Sequence, residues 1–165
     1  MTQLFASGLR TAAVGLAIAL IVIGQAAAAP PAAPAIVADS PAATANARLV
    51  LDFFQAVFVD HHVSAIPKYV ADAYVQHSPY VPDGVKPFTE YATALFDKYP
   101  LLAPKPKQVV AAGDLVVLHS LYEFVPGTRG TAAVDIFRIA NGKIVEHWDV
   151  LQPVPEQAAN AHPMF

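Results

Sequence analysis

The chain has 165 residues, enough for one ordinary domain, and its 10 Lys and Arg against 13 Asp and Glu give a net charge of −3. A weakly acidic chain without a basic patch has no electrostatic footprint for a phosphate backbone, which excludes nucleic acid as a partner. The absence of Cys excludes disulfides, thiol nucleophiles and cysteinyl zinc sites, and no glycine-rich phosphate loop, HExxH helix or GxSxG elbow is present.

The first 28 residues are predicted to be a secretory signal peptide. Arg10 precedes an apolar run over residues 12–23, and the small residues that follow place the cleavage near Ala28. The alternative is a membrane anchor over Thr11–Ala29, which is just long enough to span but rich in Ala and Gly. We expect a secreted or periplasmic protein that has no membrane attachment after signal cleavage.

Three further segments follow the signal peptide. Residues 29–45 are rich in Ala and Pro and are expected to form a mostly extended, disordered linker. Residues 46–155 are expected to fold as one domain, and residues 156–165 form a C-terminal tail.

Helical patterns occupy the first half of the expected domain. Ser40-Pro41 is a helix-start signal, and apolar residues from Val50 to Phe58 recur with the spacing of one helix face. A second, shorter helix is predicted from Ser64 through Ala73. A third has its apolar face between Phe88 and Tyr99, before three prolines end it.

The apolar period then changes from 3.6 to 2, which predicts four strands: residues 109–112, 115–124, 131–139 and 143–152. The connections between them are short, so the strands pair as antiparallel hairpins. Helices followed by strands indicate an α+β fold, with the helices packed on one face of a curved antiparallel sheet and a pocket between the layers.

The turn at Asn141-Gly142 decides which side chains share that pocket. A two-residue turn pairs Ala140 with Lys143 and separates Asp135 from His147 and Asp149, on opposite faces. A three-residue loop with a bulge at Gly142 instead pairs Ile139 with Lys143 and places Asp135 opposite His147. We favour the bulge, because it collects the acidic and imidazole groups on the face with apolar neighbours.

His147 and Asp149 alternate along the last strand and therefore point to the same face. A carboxylate in an apolar pocket is suited to abstract and return a proton. His119 on a neighbouring strand and Asp135 would complete an acid/base cluster with them. The alternative is a buried hydrogen-bonded pair with a structural role only.

Other residues are candidates for ligand contact. His77 can bind a ligand or cap a helix end, and Phe54 and Phe137 can line a pocket or fill a core. A metal site from His77, His119, His147 and Asp149 uses suitable ligand types, but their separation along the chain gives it weak support, and we predict neither metal nor cofactor.

Several segments resemble the SnoaL-like branch of the nuclear-transport-factor-2-like superfamily, and the similarity runs from about Asn46 to Pro155. The segments that carry it are Tyr74-Val75-Gln76-His77-Ser78-Pro79, Asp83-Gly84, Gly113-Asp114-Leu115-Val116, Asp135-Ile136-Phe137-Arg138 and Gly142-Lys143-Ile144-Val145-Glu146-His147-Trp148-Asp149.

The resemblance implies a cone-shaped α+β barrel, with three helices and a strongly bent sheet around a pocket, commonly as a homodimer. It also implies polyketide-cyclase-type chemistry, an intramolecular aldol condensation without a cofactor. The acid/base carboxylate of that family lies on the last strand, at the position of Asp149. Asp135 departs from the His common at its position, and Ser78 departs from the usual Asn.

We expect an enzyme in which Asp149 removes a proton next to a carbonyl group of a small hydrophobic compound, while His119 and His147 orient it and stabilise the enolate. Condensation or isomerisation would follow. One alternative is a binding or dimerisation module with no chemistry. Another is an epoxide or lactone hydrolase, in which Asp149 or Asp135 activates water.

Overall fold

The structure is a computed structural model that describes residues 33–165. The expected signal peptide therefore lies outside the described residues. The strands are β1 (Ile36–Ala38), β2 (Val70–Gln76), β3 (Lys105–Ala112), β4 (Leu115–Tyr122), β5 (Thr131–Ala140) and β6 (Lys143–Pro153). The helices are α1 (Pro41–Phe53), α2 (Ile66–Tyr69) and α3 (Val85–Lys98), with a π-helix at Phe54–Val59 and a short 3₁₀ turn at Val63–Ala65.

The six strands form one curled, open sheet in the order β1-β3-β4-β5-β6-β2. The four long strands from β3 to β6 are antiparallel, as expected. The two edge strands, β1 and β2, pair in parallel with β3 and β6. The sheet is therefore mixed, which corrects the expectation of a purely antiparallel sheet, and it does not close into a barrel. Three helices pack on its concave face in an α+β arrangement.

Helix α1 starts where the sequence indicates. The Ser40 hydroxyl accepts a hydrogen bond from the Ala43 backbone N–H at 3.1 Å, and Pro41 occupies the first turn. The helix continues through the π-helix to Val59, and this 19-residue span is long and apolar enough to cross a membrane by length and composition alone. Its buried stripe, which includes Val50 and Phe53, packs into the domain core.

Residues 36–45, which we expected to lie in a disordered linker, belong to the fold. Ile36–Ala38 pair with β3, and the first turn of α1 begins at Pro41. The Asp39 carboxylate accepts a hydrogen bond from the Gly113 N–H at 3.1 Å. Three residues are too few to show a periodicity. The partner strand lies about 70 positions away in the sequence, as the Val37–Val110 pairing shows, so no local signal reveals it.

The second predicted helix is mostly wrong. Only Ile66–Tyr69 is α-helical after the 3₁₀ turn, and Val70–Gln76 is the edge strand β2. Its pairing with β6 is irregular between Val70 and Val75. Long-range pairing with β6 satisfies the backbone of this segment, and that stabilisation outweighs the weak helical spacing from Tyr69 to Ala73.

The β5–β6 hairpin has the shorter of the two turns considered. Ala140 pairs with Lys143 across Asn141-Gly142, both of which have positive φ angles of 52° and 70°. The expected bulge at Gly142 is wrong. The register shifts three residues after Gly142, at Val145, so that Arg138 pairs with Glu146 and Asp135 pairs with Asp149 rather than with His147.

The bulge at Val145 inserts one residue into β6 and therefore restores the face assignment that the turn alone would have reversed. Phe137 pairs with His147, and both face the concave, helix-covered side of the sheet with Asp135 and Asp149. The convex side carries the alternate residues, including Arg138 and Trp148. Beyond β6, residues 154–165 form neither helix nor strand.

Candidate active site

A cavity of about 320 Å³ lies between the helices and the concave face of the sheet. This volume is at the lower end of the range of small-molecule pockets. Most of its wall is aromatic or aliphatic, and its polar side chains are Tyr74, Gln76, Ser78, Tyr80, Tyr91, Tyr122, Asp135, His147 and Asp149.

Asp135 is the most buried charged group of the described domain, with 5% of its surface exposed. Its Oδ2 accepts a hydrogen bond from the Tyr122 hydroxyl at 3.3 Å, and its Oδ1 lies 3.3 Å from His147 Nε2. A buried carboxylate needs such partners, because an unpaired one costs several kcal/mol. Asp135 and His147 therefore form a buried hydrogen-bonded pair, which was the alternative to an acid/base cluster.

The opposite edge of the His147 ring is held by β2. His147 Nδ1 lies 2.9 Å from Gln76 Oε1, which also accepts the Ser78 backbone N–H at 2.9 Å. Gln76 Nε2 donates to the Tyr74 hydroxyl oxygen at 2.9 Å. Parallel pairing of Gln76 with His147 brings these groups together across the strand boundary. The imidazole is thus fixed at both ring nitrogens.

Asp149 stands apart from this network. It lies directly across the strand pair from Asp135 and lines the same cavity. Among residues 33–165, no hydrogen-bond donor contacts its carboxylate. Cross-strand partners on one face have Cβ atoms about 5 Å apart, so the two acidic side chains are close neighbours. A free carboxylate therefore faces the cavity beside a paired one.

The tyrosines around these carboxylates keep their protons. Burial, followed by the charges of Asp135 and Asp149, raises the pKa of Tyr74 well above its ordinary value of 10.0. Burial and then Asp135 raise the pKa of Tyr122, and burial and then Asp149 raise that of Tyr91. The cavity wall thus presents neutral hydroxyl groups, of which that of Tyr122 already donates to Asp135.

His119, which we expected in the acid/base cluster, lies on the other face of the sheet. It pairs with Val134, while the neighbouring Leu118 pairs with Asp135. The His119 ring stacks on Phe165 of the tail, with ring centres 5.2 Å apart. Strand alternation is the physical reason, because a residue one position out of phase points away from the cavity.

His77, for which we expected substrate contact, lies outside the cavity as well. Its ring stacks on Trp148 at 4.6 Å, and its Nε2 lies 2.8 Å from Glu146 Oε1, on the convex face of the sheet. Glu146 also accepts a hydrogen bond from Arg138 Nε at 2.8 Å. These two partners lower the pKa of Glu146, His77 contributing first. His77 thus belongs to a surface network behind the site.

The two phenylalanines assigned to substrate contact do line the cavity. Phe54 and Phe137 are nearly inaccessible to solvent and meet edge to face, with ring centres 5.9 Å apart. Phe137 also lies 4.8 Å from the His147 ring. They form the apolar base of the site and leave the cavity above them open.

Sequence reasoning did not assign six polar wall residues to the site: Tyr74, Gln76, Ser78, Tyr80, Tyr91 and Tyr122. Tyr74 and Gln76 alternate along β2, a signal that the helical interpretation of this segment hid. Tyr122 has the same phase as Val116 and Leu118 on β4, so strand alternation alone could have placed it on the concave face.

The metal set considered from the sequence is not assembled, because His77 and His119 lie on the face opposite His147 and Asp149. Within the part of the chain that the structure describes, no three His, Asp or Glu side chains are grouped as a metal site.

The SnoaL-like domain family matches residues 50–147, more than half of the chain. The chain belongs to the SnoaL-like domain family. This match runs from the last turn of α1 into the first half of β6, so Asp149 lies just beyond it, and it confirms the resemblance seen in the sequence. Comparison with the curated proteins gives no match.

Solved structures share the fold of this SnoaL-like domain. A proposed polyketide cyclase from Bacillus cereus is 21% identical, with a TM-score of 0.63 over 77% of this chain and 90% of that chain. A proposed SnoaL-like polyketide cyclase from Jannaschia sp. is 22% identical, with a TM-score of 0.57 over 68% and 88%. An NTF2-like protein of unknown function from Mesorhizobium loti is 19% identical, with a TM-score of 0.59 over 70% and 98%.

Proposed function

We propose that this domain is a cofactor-independent acid/base enzyme that acts on a small, hydrophobic, enolisable carbonyl compound. The observation that carries the proposal is the Asp149 carboxylate, which faces an apolar cavity without a hydrogen-bond donor among the described residues. A carboxylate held in this way has its lone pairs available to take a proton from a bound carbon acid.

In the proposed reaction, Asp149 takes the proton from the carbon next to the carbonyl group, and the C–H electron pair forms the enolate. The enolate carbon then attacks a second carbonyl carbon of the same molecule, which gives an aldol product, or it is reprotonated at another carbon, which gives an isomer. Both outcomes return the proton to the product, so no oxidant or reductant is required.

The charge that develops on the enolate oxygen needs hydrogen-bond donors in a site with little water. The cavity supplies neutral hydroxyl groups from Tyr74 and Tyr91, whose pKa values are raised by burial, whereas the Tyr122 hydroxyl donates to Asp135. His147 and Asp135 lie beside them. This assignment replaces the expected contribution of His119, which points away from the cavity.

The charge of the wall favours an uncharged ligand. Among the described side chains that line the cavity, two are carboxylates and none is Lys or Arg. A carboxylate or phosphate on the substrate would meet Asp135 and Asp149 with no compensating cation. The aromatic rings of Phe53, Phe54 and Phe58 suit an apolar or aromatic skeleton. Export of the protein and a homodimer stay predictions.

Proton abstraction can be tested before the natural substrate is known. The full chain is incubated in D₂O with a panel of uncharged 1,3-diketones and β-keto esters, and loss of the α-proton signal is followed by NMR. We expect exchange above the uncatalysed rate for some members of the panel. Asp149→Asn should lower that rate by about 10²- to 10⁴-fold, which is the usual contribution of a general base.

Asp97→Asn is the matched control, because it removes the same carboxylate from the exposed face of α3 and should leave exchange unchanged. Equal exchange by wild type and Asp149→Asn would refute the assignment of the base. Saturable binding of the panel without any exchange by the wild type would favour the non-catalytic binding module.

A further inference from the structure

Gln76 is the side chain that connects the edge strand β2 to the buried pair. Its Oε1 lies 2.9 Å from the Ser78 backbone nitrogen and 2.9 Å from His147 Nδ1, and its Nε2 lies 2.9 Å from the Tyr74 hydroxyl. Neither the family match nor the sequence pattern assigns it a role.

The backbone N–H of Ser78 fixes the orientation of the Gln76 amide. A backbone N–H can only donate, so the amide atom that faces it must be the oxygen. The same oxygen faces His147 Nδ1, and a carbonyl oxygen can only accept. His147 Nδ1 must therefore carry a proton, and the tautomer follows from the hydrogen-bond network.

The other ring nitrogen then has a defined position in the network. In a neutral imidazole protonated at Nδ1, Nε2 is a bare acceptor. It faces Asp135 Oδ1 at 3.3 Å, while Asp135 Oδ2 accepts from the Tyr122 hydroxyl. Two acceptors at this distance repel each other unless a proton lies between them.

We propose that Gln76 is a positioning residue that keeps a proton on His147 Nδ1. The contact between His147 Nε2 and Asp135 must then be bridged by a second proton, which can be transferred. This bridging proton belongs to the pair, as a neutral imidazole with a carboxylic acid or as an imidazolium with a carboxylate. In both forms it lies at the cavity wall, across the strand pair from Asp149.

The consequence for catalysis rests on the proposed function. An enzyme that abstracts a proton with Asp149 needs a second group that can give a proton to the enolate. A His147–Asp135 pair with a bridging proton that can be transferred meets this need. Without Gln76, the neutral ring can place its single proton on Nε2 and donate it to the Asp135 carboxylate. The pair then holds one proton fewer, and it cannot give up the remaining one without leaving an imidazolate anion.

The test is the tautomer of His147, which requires no substrate. The full chain is labelled with ¹⁵N-histidine, and the protonation of each ring nitrogen is read from long-range ¹H–¹⁵N correlations near neutral pH. The His147 signals are assigned by their absence from His147→Gln. We expect the wild type to carry a ring proton on Nδ1. A wild-type proton on Nε2 with a bare Nδ1 would overturn the proposal without any variant.

Two substitutions separate the hydrogen bonds of Gln76. Gln76→Leu removes the acceptor, and we expect the neutral ring to move its proton to Nε2. Gln76→Glu keeps an oxygen acceptor for Nδ1 but loses the donor to Tyr74, and we expect the wild-type tautomer to be retained. An unchanged tautomer in a folded Gln76→Leu would show that Asp135 alone sets the ring and would refute the proposal.

Kinetics distinguish this proposal from the proposed function. With an exchanging carbonyl compound, Gln76→Leu should lower kcat at least about tenfold with little change in KM, and Gln76→Glu should restore part of kcat. If the tautomer changes as expected while the wild type exchanges no α-proton, the positioning role of Gln76 stands and the enzymatic function fails. If exchange depends on Asp149 but the tautomer does not depend on Gln76, the reverse holds.

Discussion

Replacing Asp135 by Asn and by Ala should give two very different proteins. The side-chain amide in Asp135→Asn has one oxygen to accept the Tyr122 hydroxyl and one NH₂ group to donate to the bare His147 Nε2. The shape of the buried network is therefore kept, and the bridging proton is replaced by a permanent N–H. The methyl group in Asp135→Ala makes neither interaction and leaves both partners unpaired next to the cavity.

The magnitude follows from the groups that lose a partner. Each buried polar group left unsatisfied costs about 1–3 kcal/mol. The Tyr122 hydroxyl and His147 Nε2 are both affected in Asp135→Ala. The adjoining cavity of about 320 Å³ lets water reach them, so we take the lower end of the range, about 2 kcal/mol in total. For Asp135→Asn we expect a change within about 1 kcal/mol, because the number of hydrogen bonds is conserved.

Urea unfolding followed by tryptophan fluorescence measures both values. The single Trp lies on β6, so its emission reports on the strand that carries the site. The free energy of unfolding is compared at equal m values, since a change in m would indicate an altered unfolded state. Equal destabilisation by the two substitutions, or an Asp135→Ala variant as stable as wild type, would refute the hydrogen-bond network around Asp135.

Two further predictions concern stability. Burial raises the pKa of Tyr74 and Tyr122 in the folded state, so the unfolded chain loses these protons near pH 10.0 while the folded chain keeps them. The free energy of unfolding should therefore fall as the pH rises above that value. Tyr122→Phe should make this decline shallower in urea titrations at several pH values, whereas substitution of the exposed Tyr80 by Phe should not. Gly130→Ala should destabilise the protein more than Gly127→Ala in the same assay. Both glycines have positive φ angles, which cost about 1–2 kcal/mol for Ala. Only at Gly130 would the new Cβ lie 2.7 Å from the Tyr122 carbonyl oxygen. Equal losses for the two glycine variants would contradict the close approach at Gly130.

The parts of the fold with their own local signal were predictable. The N-cap at Ser40, the apolar stripe of α1 and the four long strands each follow from periodicity and turn chemistry within a few residues of themselves. The face shared by Asp135, His147 and Asp149 was assigned correctly for a reason that was partly wrong. One extra residue in the hairpin was needed, and it lies at Val145 rather than in the turn.

The parts that failed depend on distant partners. β1 and β2 exist because the edges of β3 and β6 pair with them, and nothing within either segment states that pairing. The error over His119 has a different cause. The buried face of β4 is visible in the alternation of its apolar residues Val116 and Leu118, and His119 is out of phase with them. Strand alternation therefore excludes the His119 imidazole from the cavity, although its chemistry suits an acid/base site.

The network engages some polar groups of the wall and leaves others, including Tyr74 and Asp149, for a ligand. Asp135 is engaged by Tyr122 and His147, and both ring nitrogens of His147 are occupied. The Tyr74 oxygen accepts from Gln76, which leaves its hydroxyl hydrogen without an acceptor among residues 33–165. The Asp149 carboxylate has no donor in the same part of the chain. A free acceptor at Asp149 and a free donor at Tyr74 in an apolar cavity match a ligand that presents an acidic C–H bond and a carbonyl oxygen, which is the pattern of an enolisable ketone or ester.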